Sequence, residues 1–211
     1  VMDATPDTSV QDVLAAYHGT LAYRRHGPDD GQAAAIQEGW DRTDGEVLCW
    51  LCADDYYFPD ALQQVRHIFE AEPDVDVVYG DSVFVNREGN FLGYHPEISA
   101  AISAILRGCC ISQPSCFVRR SAIAQAGGLD TKLHYVMDWN LWCRLYKAGA
   151  KFRYLPSPLS AVRVYPETKT ASRSKERYAE INHQLAMNTD NLTRMRALAG
   201  FYHYDLASRR S

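Results

Sequence analysis

The spacing of apolar positions changes repeatedly along this chain, from the period of a strand to that of a helix and back. Val1 to Asp3 read as the end of a strand, followed by a turn rich in Asp, Thr and Pro. A helix follows, capped by Thr8 or Ser9, with Val10, Val13, Leu14 and Tyr17 at helical spacing. "TLAYRR" predicts a short strand, and a glycine-rich turn then leads into a helix carrying Ala33, Ile36, Gln37 and Trp40. The apolar run from Val47 to Ala53 predicts a buried strand that ends on two adjacent carboxylates, Asp54 and Asp55. A helix from about Pro59 to Ala71, the strand "VDVVYGDSVFVN" and the turn "NREGN" complete the first half.

Strands alternating with helices through short connections predict an α/β fold, an open and mostly parallel sheet flanked by helices. Ligands of such sheets sit at the carboxyl ends of strands. Asp3, Asp54 with Asp55, and Asp81 all fall at or just past predicted strand ends.

In the second half, a helix is expected over about Glu97 to Arg107. "SQPSCFVRRSAIAQAGGLD" reads as a strand, a short helix and a glycine stop. "MDWNLWCRLYKAG" reads as a helix with Leu141, Trp142 and Leu145 on one face and Gly149 closing it. "KFRYLPSPLSAVRVY" predicts one or two short strands broken by prolines. From Ser172 to Ala199 a helical stripe of Tyr178, Ile181, Leu185, Leu192, Met195 and Leu198 marks a C-terminal helical arm. Its mixed charge favours packing on its own domain or on a second subunit over a membrane surface.

Composition adds exclusions. With 46% hydrophobic and 23% charged residues, the 211-residue chain has the balance of a soluble globular protein. A net charge of −4 gives no bulk attraction to nucleic acid or anionic membrane, so no nucleic-acid partner is expected. No apolar stretch reaches the roughly 18 residues of a spanning helix, and nothing at the start reads as a signal peptide. The 6 cysteines include a CxxC at Cys49 and Cys52, but residues three apart on a strand face opposite ways. Buried, reduced thiols are expected, which fits a reducing compartment.

The acidic pair is the most informative chemistry. Adjacent strand residues project to opposite sides, so one carboxylate can hold a divalent cation while the other accepts hydrogen bonds from a sugar hydroxyl. The alternative is an exposed turn that caps the following helix. Asp138 is either a general base or an N-cap for its helix, or both. Gln113 either holds a sugar or belongs to a polar turn before Pro114. Trp142 reads as core, whereas Trp139, next to Asp138, is placed to stack on a sugar face. His95, His134 and His183 read as isolated surface or satisfied polar positions.

Segments in a fixed order resemble a family 2 glycosyltransferase of the GT-A fold, from the start to about Thr170. "VMDATPDTS" resembles that family's second strand, "PDDGQAAAIQEG" its "PDKGQxDAINKG" segment, and "GEVLCWLCADD" its "GEIIAWLNSDD" version of the DxD metal motif. "VDVVYGD", "QPSCFVRRSAIAQAGGLD" and "MDWNLWCRL" follow in the family's order. The resemblance implies an inverting, metal-dependent transferase moving a sugar from a nucleotide-sugar donor, expected to be a UDP-sugar, to a hydroxyl of a glycan or lipid-linked acceptor. It implies that Asp3 faces the nucleotide base, Asp29 and Gln32 line the nucleotide side, Asp54 contacts the ribose, Asp55 binds Mg or Mn, and Asp138 is the base.

The pattern departs from the family in places. The strand and helix that open the family's domain find no match, so the glycosyltransferase domain, residues 1–170, is expected to lack its amino-terminal strand. Met137 stands where an acidic residue usually precedes the base, and Ala34 and Gln37 replace Asp and Asn. In "VRVYPETKT", Tyr165 replaces the His of "xRxHxxSKT" that can complete a metal shell. Residues 171–211 are expected to form a helical extension able to support a homodimer. The setting implied is cytoplasmic, at most peripheral to the inner face of a membrane. Two other readings stand beside this one: an inactive glycosyltransferase-like binding module, and a sugar nucleotidyltransferase.

Overall fold

The structure is a computed structural model that describes residues 1–95, 101–169 and 174–207. Met2–Asp3 (β1) and Arg25–His26 (β2) pair in parallel as a small two-stranded sheet, with the helix Ser9–Ala15 (α1) between them in sequence. The predicted stripe forms the helix α1 only as far as Ala15 and buries none of its residues: Val13 is 63% exposed, and Tyr17, in the turn beyond, 55%.

The larger sheet is built around Val77–Val85 (β5). Along its full length β5 pairs in parallel with Phe152–Arg163 (β8), so the proline-rich segment is a single strand. Cys116–Arg119 (β7) pairs with the start of β5 and Phe91–Tyr94 (β6) with its end, both antiparallel. Val47–Leu48 (β3) and Tyr56–Tyr57 (β4) form the flanks against β7 and β8. The α/β class therefore stands, but pairing directions are mixed rather than mostly parallel. An apolar period reveals a strand and not its direction, which the connections decide.

The start of β5 alternates between two cores, and its end, through Val83 and Val85, lies in a third small cluster. Val77 and Tyr79 face one and Val78 the other. Ala61–Ala71 (α3) covers the second face through Ala61, Val65 and Phe69. The first face meets Gln32–Asp41 (α2), Arg120–Gln125 (α4), Met137–Lys147 (α5) and Lys175–Asn188 (α6). Within this core Trp50 stacks on Trp142 at 5.8 Å and meets Trp40 edge-on at 5.5 Å. At Gly80 any Cβ would lie 2.6 Å from the Leu159 side chain, so only glycine lets β8 pass this close.

Local pattern misleads in other places. The apolar run after Val47 is a ladder strand for only two residues. Beyond it side chains satisfy the backbone: Trp40 Nε1 donates to Cys49 O (3.1 Å) and Gln113 Nε2 to Trp50 O (2.5 Å). Asp81 sits within β5, not at a strand end, and accepts from Tyr154 Oη at 2.5 Å. The helix expected near residues 97–107 lies partly outside the described residues, and Ile102–Leu106 is a 3₁₀ turn. The C-terminal stripe breaks at Asp190, whose carboxylate caps Asn191–Ala207 (α7) through Thr193 N and Thr193 Oγ1 (2.9 and 2.8 Å). α6 packs on its own domain, with Ile181 3% and Leu185 0% exposed.

Candidate active site

A cavity of about 810 Å³ opens between the end of β8, the acidic turn after β3 and the start of α5. That volume falls within the roughly 300–1,000 Å³ of typical ligand pockets. Its lining includes Gln32, Asp54, Asp55, Gln113 and Asp138, which are scattered across the sequence. Asp3 and Asp29 are not among the lining residues.

The acidic pair is clamped by β8. Asp55 Oδ1 accepts from the backbone N–H of Arg163 (2.9 Å), and Arg163 Nε donates to Asp54 O (3.0 Å). Tyr165 Oη donates to Asp54 Oδ2 at 2.8 Å, while Arg87 lies over the Tyr165 ring at 4.7 Å. Tyr165 therefore orients a carboxylate instead of filling the His position as a ligand. Burial, with Asp54 adjacent, pushes the Asp55 carboxyl up to about 6 despite the Arg163 N–H.

A hydrogen-bonded chain crosses the cavity beside this pair. Lys169 Nζ donates to Gln32 Oε1 (2.8 Å), Gln32 Nε2 to Cys52 Sγ (3.4 Å), and Cys52 Sγ to Gln113 Oε1 (3.7 Å). Gln113 thus has both ends of its amide engaged by protein, since its Nε2 holds Trp50 O. All six cysteines are free thiols. Cys49 and Cys52 do face apart, Cys49 Sγ accepting from Tyr57 Oη at 3.5 Å in the α3-side core.

Asp138 occupies the first turn of α5, where its Oδ1 accepts from Trp139 N at 2.7 Å. The N-cap position is Val136, which has no capping side chain. Glu180 of α6 supplies the missing acceptor, taking the backbone N–H groups of His134 (2.9 Å), Tyr135 (2.7 Å) and Val136 (3.1 Å). Burial raises the Asp138 carboxyl to about 6, against the Trp139 N–H and the positive charge of Lys169. Trp139 borders the cavity but is 2% exposed and donates Nε1 to Ile105 O (2.5 Å), so most of its ring is packed into the core.

Asp3 is buried but saturated. It accepts from Thr5 N (3.0 Å), Thr5 Oγ1 (2.7 Å) and Gln11 Nε2 (2.9 Å), and pairs with His26 Nδ1 (2.8 Å). Asp29 forms an Asx turn to Gly31 N (2.9 Å), outside the cavity. Sequence reasoning passed over Lys169, Glu180 and Arg163, and took His134 only as an isolated surface or satisfied polar position. Lys169 carried a signal, since it stands in "TKT"; Glu180 carried none, because its partners lie about 45 positions away.

The model of the family described as "Glycosyl transferase family 2" matches residues 1–127, more than half of the chain. The chain belongs to this family. As a glycosyltransferase it is similar to the amylovoran biosynthesis glycosyltransferase AmsB of Erwinia amylovora, 29% identical over 136 residues, covering 61% of this chain and 45% of that protein. It is also similar to the O-antigen biosynthesis protein RfbC of Myxococcus xanthus, 28% identical over 145 residues, 68% of this chain and 11% of that protein. The glycosyltransferase thus spans less than half the length of either relative. S. aureus TarS 1-349, solved with UDP-GlcNAc, superposes with a TM-score of 0.70 at 13% identity, covering 96% of this chain and 61% of that one. The mannosyltransferase PcManGT from Pyrobaculum calidifontis, solved with GDP-Man and Mn2+, gives 0.66 at 18% identity, covering 94% and 58%. These neighbours establish the GT-A fold. Among the described residues no helix of the glycosyltransferase is long and apolar enough to cross a membrane.

The residues present fit a hard divalent cation in part. Ligand atoms of Cys52, Asp54 and Asp55 lie within 4.8 Å of one another. Carboxylate oxygens suit Mg2+ or Mn2+. The thiol does not: burial first, then the two carboxylates, push Cys52 up to about 12, so it stays protonated.

Proposed function

We propose that this glycosyltransferase is inverting and metal-dependent, moving a sugar from a nucleotide-sugar donor, a UDP-sugar foremost, to a hydroxyl of a glycan or lipid-linked acceptor. The observation that carries this reading is that Asp54 with Asp55 and Asp138 line one cavity from different elements. Asp55 and Asp54 would hold a divalent cation and the ribose at the donor end. Such a cation, when bound, supplies positive charge against the diphosphate.

Asp138 would take the proton of the acceptor hydroxyl as its oxygen attacks the anomeric carbon. The bond from that carbon to the diphosphate breaks, and its electron pair leaves with the nucleotide. A carboxylate raised to about 6 is mostly ionised at neutral pH and more basic than an ordinary Asp. Glu180 and Tyr165 hold Asp138 and Asp54 in place without touching the reaction. Asp3 and Asp29, outside the cavity, are proposed to act on the nucleotide base side.

Residues 1–170 form the catalytic unit in this reading, and residues 171–211 a helical extension that braces it. The exposed Leu192 and Met195 of α7 suit a homodimer contact. Free thiols suit a reducing, cytoplasmic setting, peripheral to a membrane at most. The deciding experiment is calorimetric titration of UDP and GDP, with and without Mn2+, into the wild type and Asp55→Ala. Metal-dependent UDP binding lost in the variant supports the reading. A GDP preference changes the donor. Absence of binding by a folded wild type leaves a glycosyltransferase-like binding module.

A further inference from the structure

Lys169 is a cation held at the cavity wall by neutral groups. Its Nζ donates to Gln32 Oε1 (2.8 Å) and His134 O (3.3 Å), and lies 3.4 Å from His134 Nδ1. Among the described residues no carboxylate lies within ion-pair distance of it. A half-buried ammonium with no carboxylate in contact is a costly arrangement: burial lowers its pKa, and Glu180 and Asp29 offset this only at longer range. The cost is relieved when a ligand brings the missing negative charge into the cavity.

Its place in the fold says which charge. The side chain lines the same cavity as Asp54, Asp55 and Asp138. It acts electrostatically on Asp138 and on Cys52, which is next to the acidic pair. Through Gln32 its hydrogen bonds reach Cys52, two residues before the acidic pair at the proposed donor end. The carboxylates clustered there need a positive counterweight before a diphosphate can approach. The cation shell at Asp54 and Asp55 is also thinned, because Tyr165 and Arg163 already occupy one oxygen of each.

We infer that Lys169 binds the diphosphate of the nucleotide-sugar donor and takes up part of the negative charge that develops on it as the sugar departs. This rests on the donor reading given above. When the carbon–oxygen bond breaks, the electron pair stays on the diphosphate oxygen, and an ammonium in hydrogen-bond reach stabilises it without accepting or losing a proton. Lys169 also fixes Gln32, since the amide that receives its N–H must turn its own Nε2 toward Cys52. A purely structural role through Gln32 is thus the competing explanation.

The two roles separate in binding experiments on the full chain. UDP or GDP, whichever the wild type binds more tightly, is titrated alongside the matching nucleoside, with Mn2+ and again with EDTA. Lys169→Met is expected to weaken nucleoside diphosphate binding about 10- to 100-fold, more in EDTA than in Mn2+, while nucleoside affinity stays within about 2-fold. Lys169→Arg keeps the charge and is expected to recover most of the loss. Equal weakening of diphosphate and nucleoside, or an unchanged diphosphate affinity in Lys169→Met, overturns the inference and leaves the donor reading intact. Failure of the wild type to bind either nucleotide removes the donor reading itself, and this inference with it.

Discussion

Asp3 and Asp138 are both acids drawn into the protein, and the fold treats them in opposite ways. Asp3, in the small β1–β2 sheet, receives Thr5 N, Thr5 Oγ1, Gln11 Nε2 and His26, and the Thr5 donors lead in holding its carboxyl far below the usual range. Asp138, at the start of α5, receives only local backbone N–H groups, those of Trp139 and of its own residue, and is raised to about 6 by burial. A carboxylate with every lone pair engaged is held ionised and strongly acidic. One that is buried at a cavity wall with fewer donors is more basic. The same residue type is held strongly acidic in one region and kept more basic in the other through its neighbours alone.

The largest test of this contrast is Asp138→Asn. Transfer should fall by about 10²- to 10⁴-fold with donor binding retained, read by steady-state kinetics beside calorimetry. In the wild type, kcat/KM should rise as pH climbs through about 6, because the base works only once deprotonated. A pH profile flat from 5 to 7 would remove Asp138 from the role.

Packing gives the next largest effect. Leu185 is fully buried between α6 and the main core, so Leu185→Ala should cost about 2–5 kcal/mol in chemical denaturation. If instead the loss matched that of an exposed residue, α6 would not be part of the core.

Stability separates the two acids by sign. Asp138 has a folded pKa above its unfolded value, so ionisation opposes folding and stability falls as pH rises from about 4 to about 6. Asp138→Asn should therefore be more stable than wild type at pH 7, by about 1–2 kcal/mol, with the gain vanishing below pH 4. Asp3 behaves in reverse. Its contribution is present above the ordinary carboxylate value and lost as pH falls through its depressed folded value. Asp3→Asn should lower the melting temperature at pH 7, and the deficit should shrink in acid. The smallest effect is expected at Leu192, 58% exposed on α7, where Ala should shift stability by no more than about 0.5 kcal/mol.

Much of this was open to reading in the sequence. Helices α2, α3 and α5, the turn after β5 and the glycine stop at Gly149 follow from local period and backbone preference. The acidic pair and Asp138 announced themselves because their segments keep a recognisable order. Misreadings came where the backbone is satisfied by distant groups. The run after Val47 has the composition of a strand, yet Trp40 and Gln113 take its carbonyls. Trp139 sits beside a catalytic candidate, yet Ile105 claims its N–H.

By itself, then, the sequence determined most of the helices and marked which acids to propose for chemistry, since these depend on neighbours a few positions apart. Only the tertiary structure decided strand direction, the burial of Trp139 and the saturation of Asp3. It alone also brought Glu180 to the backbone ahead of Asp138 and Lys169 to Gln32. Apart from the Thr5 and Gln11 bonds to Asp3, those depend on contacts between residues tens to more than a hundred positions apart, and on the burial that sets a carboxylate's pKa. Neither leaves a local period in the chain.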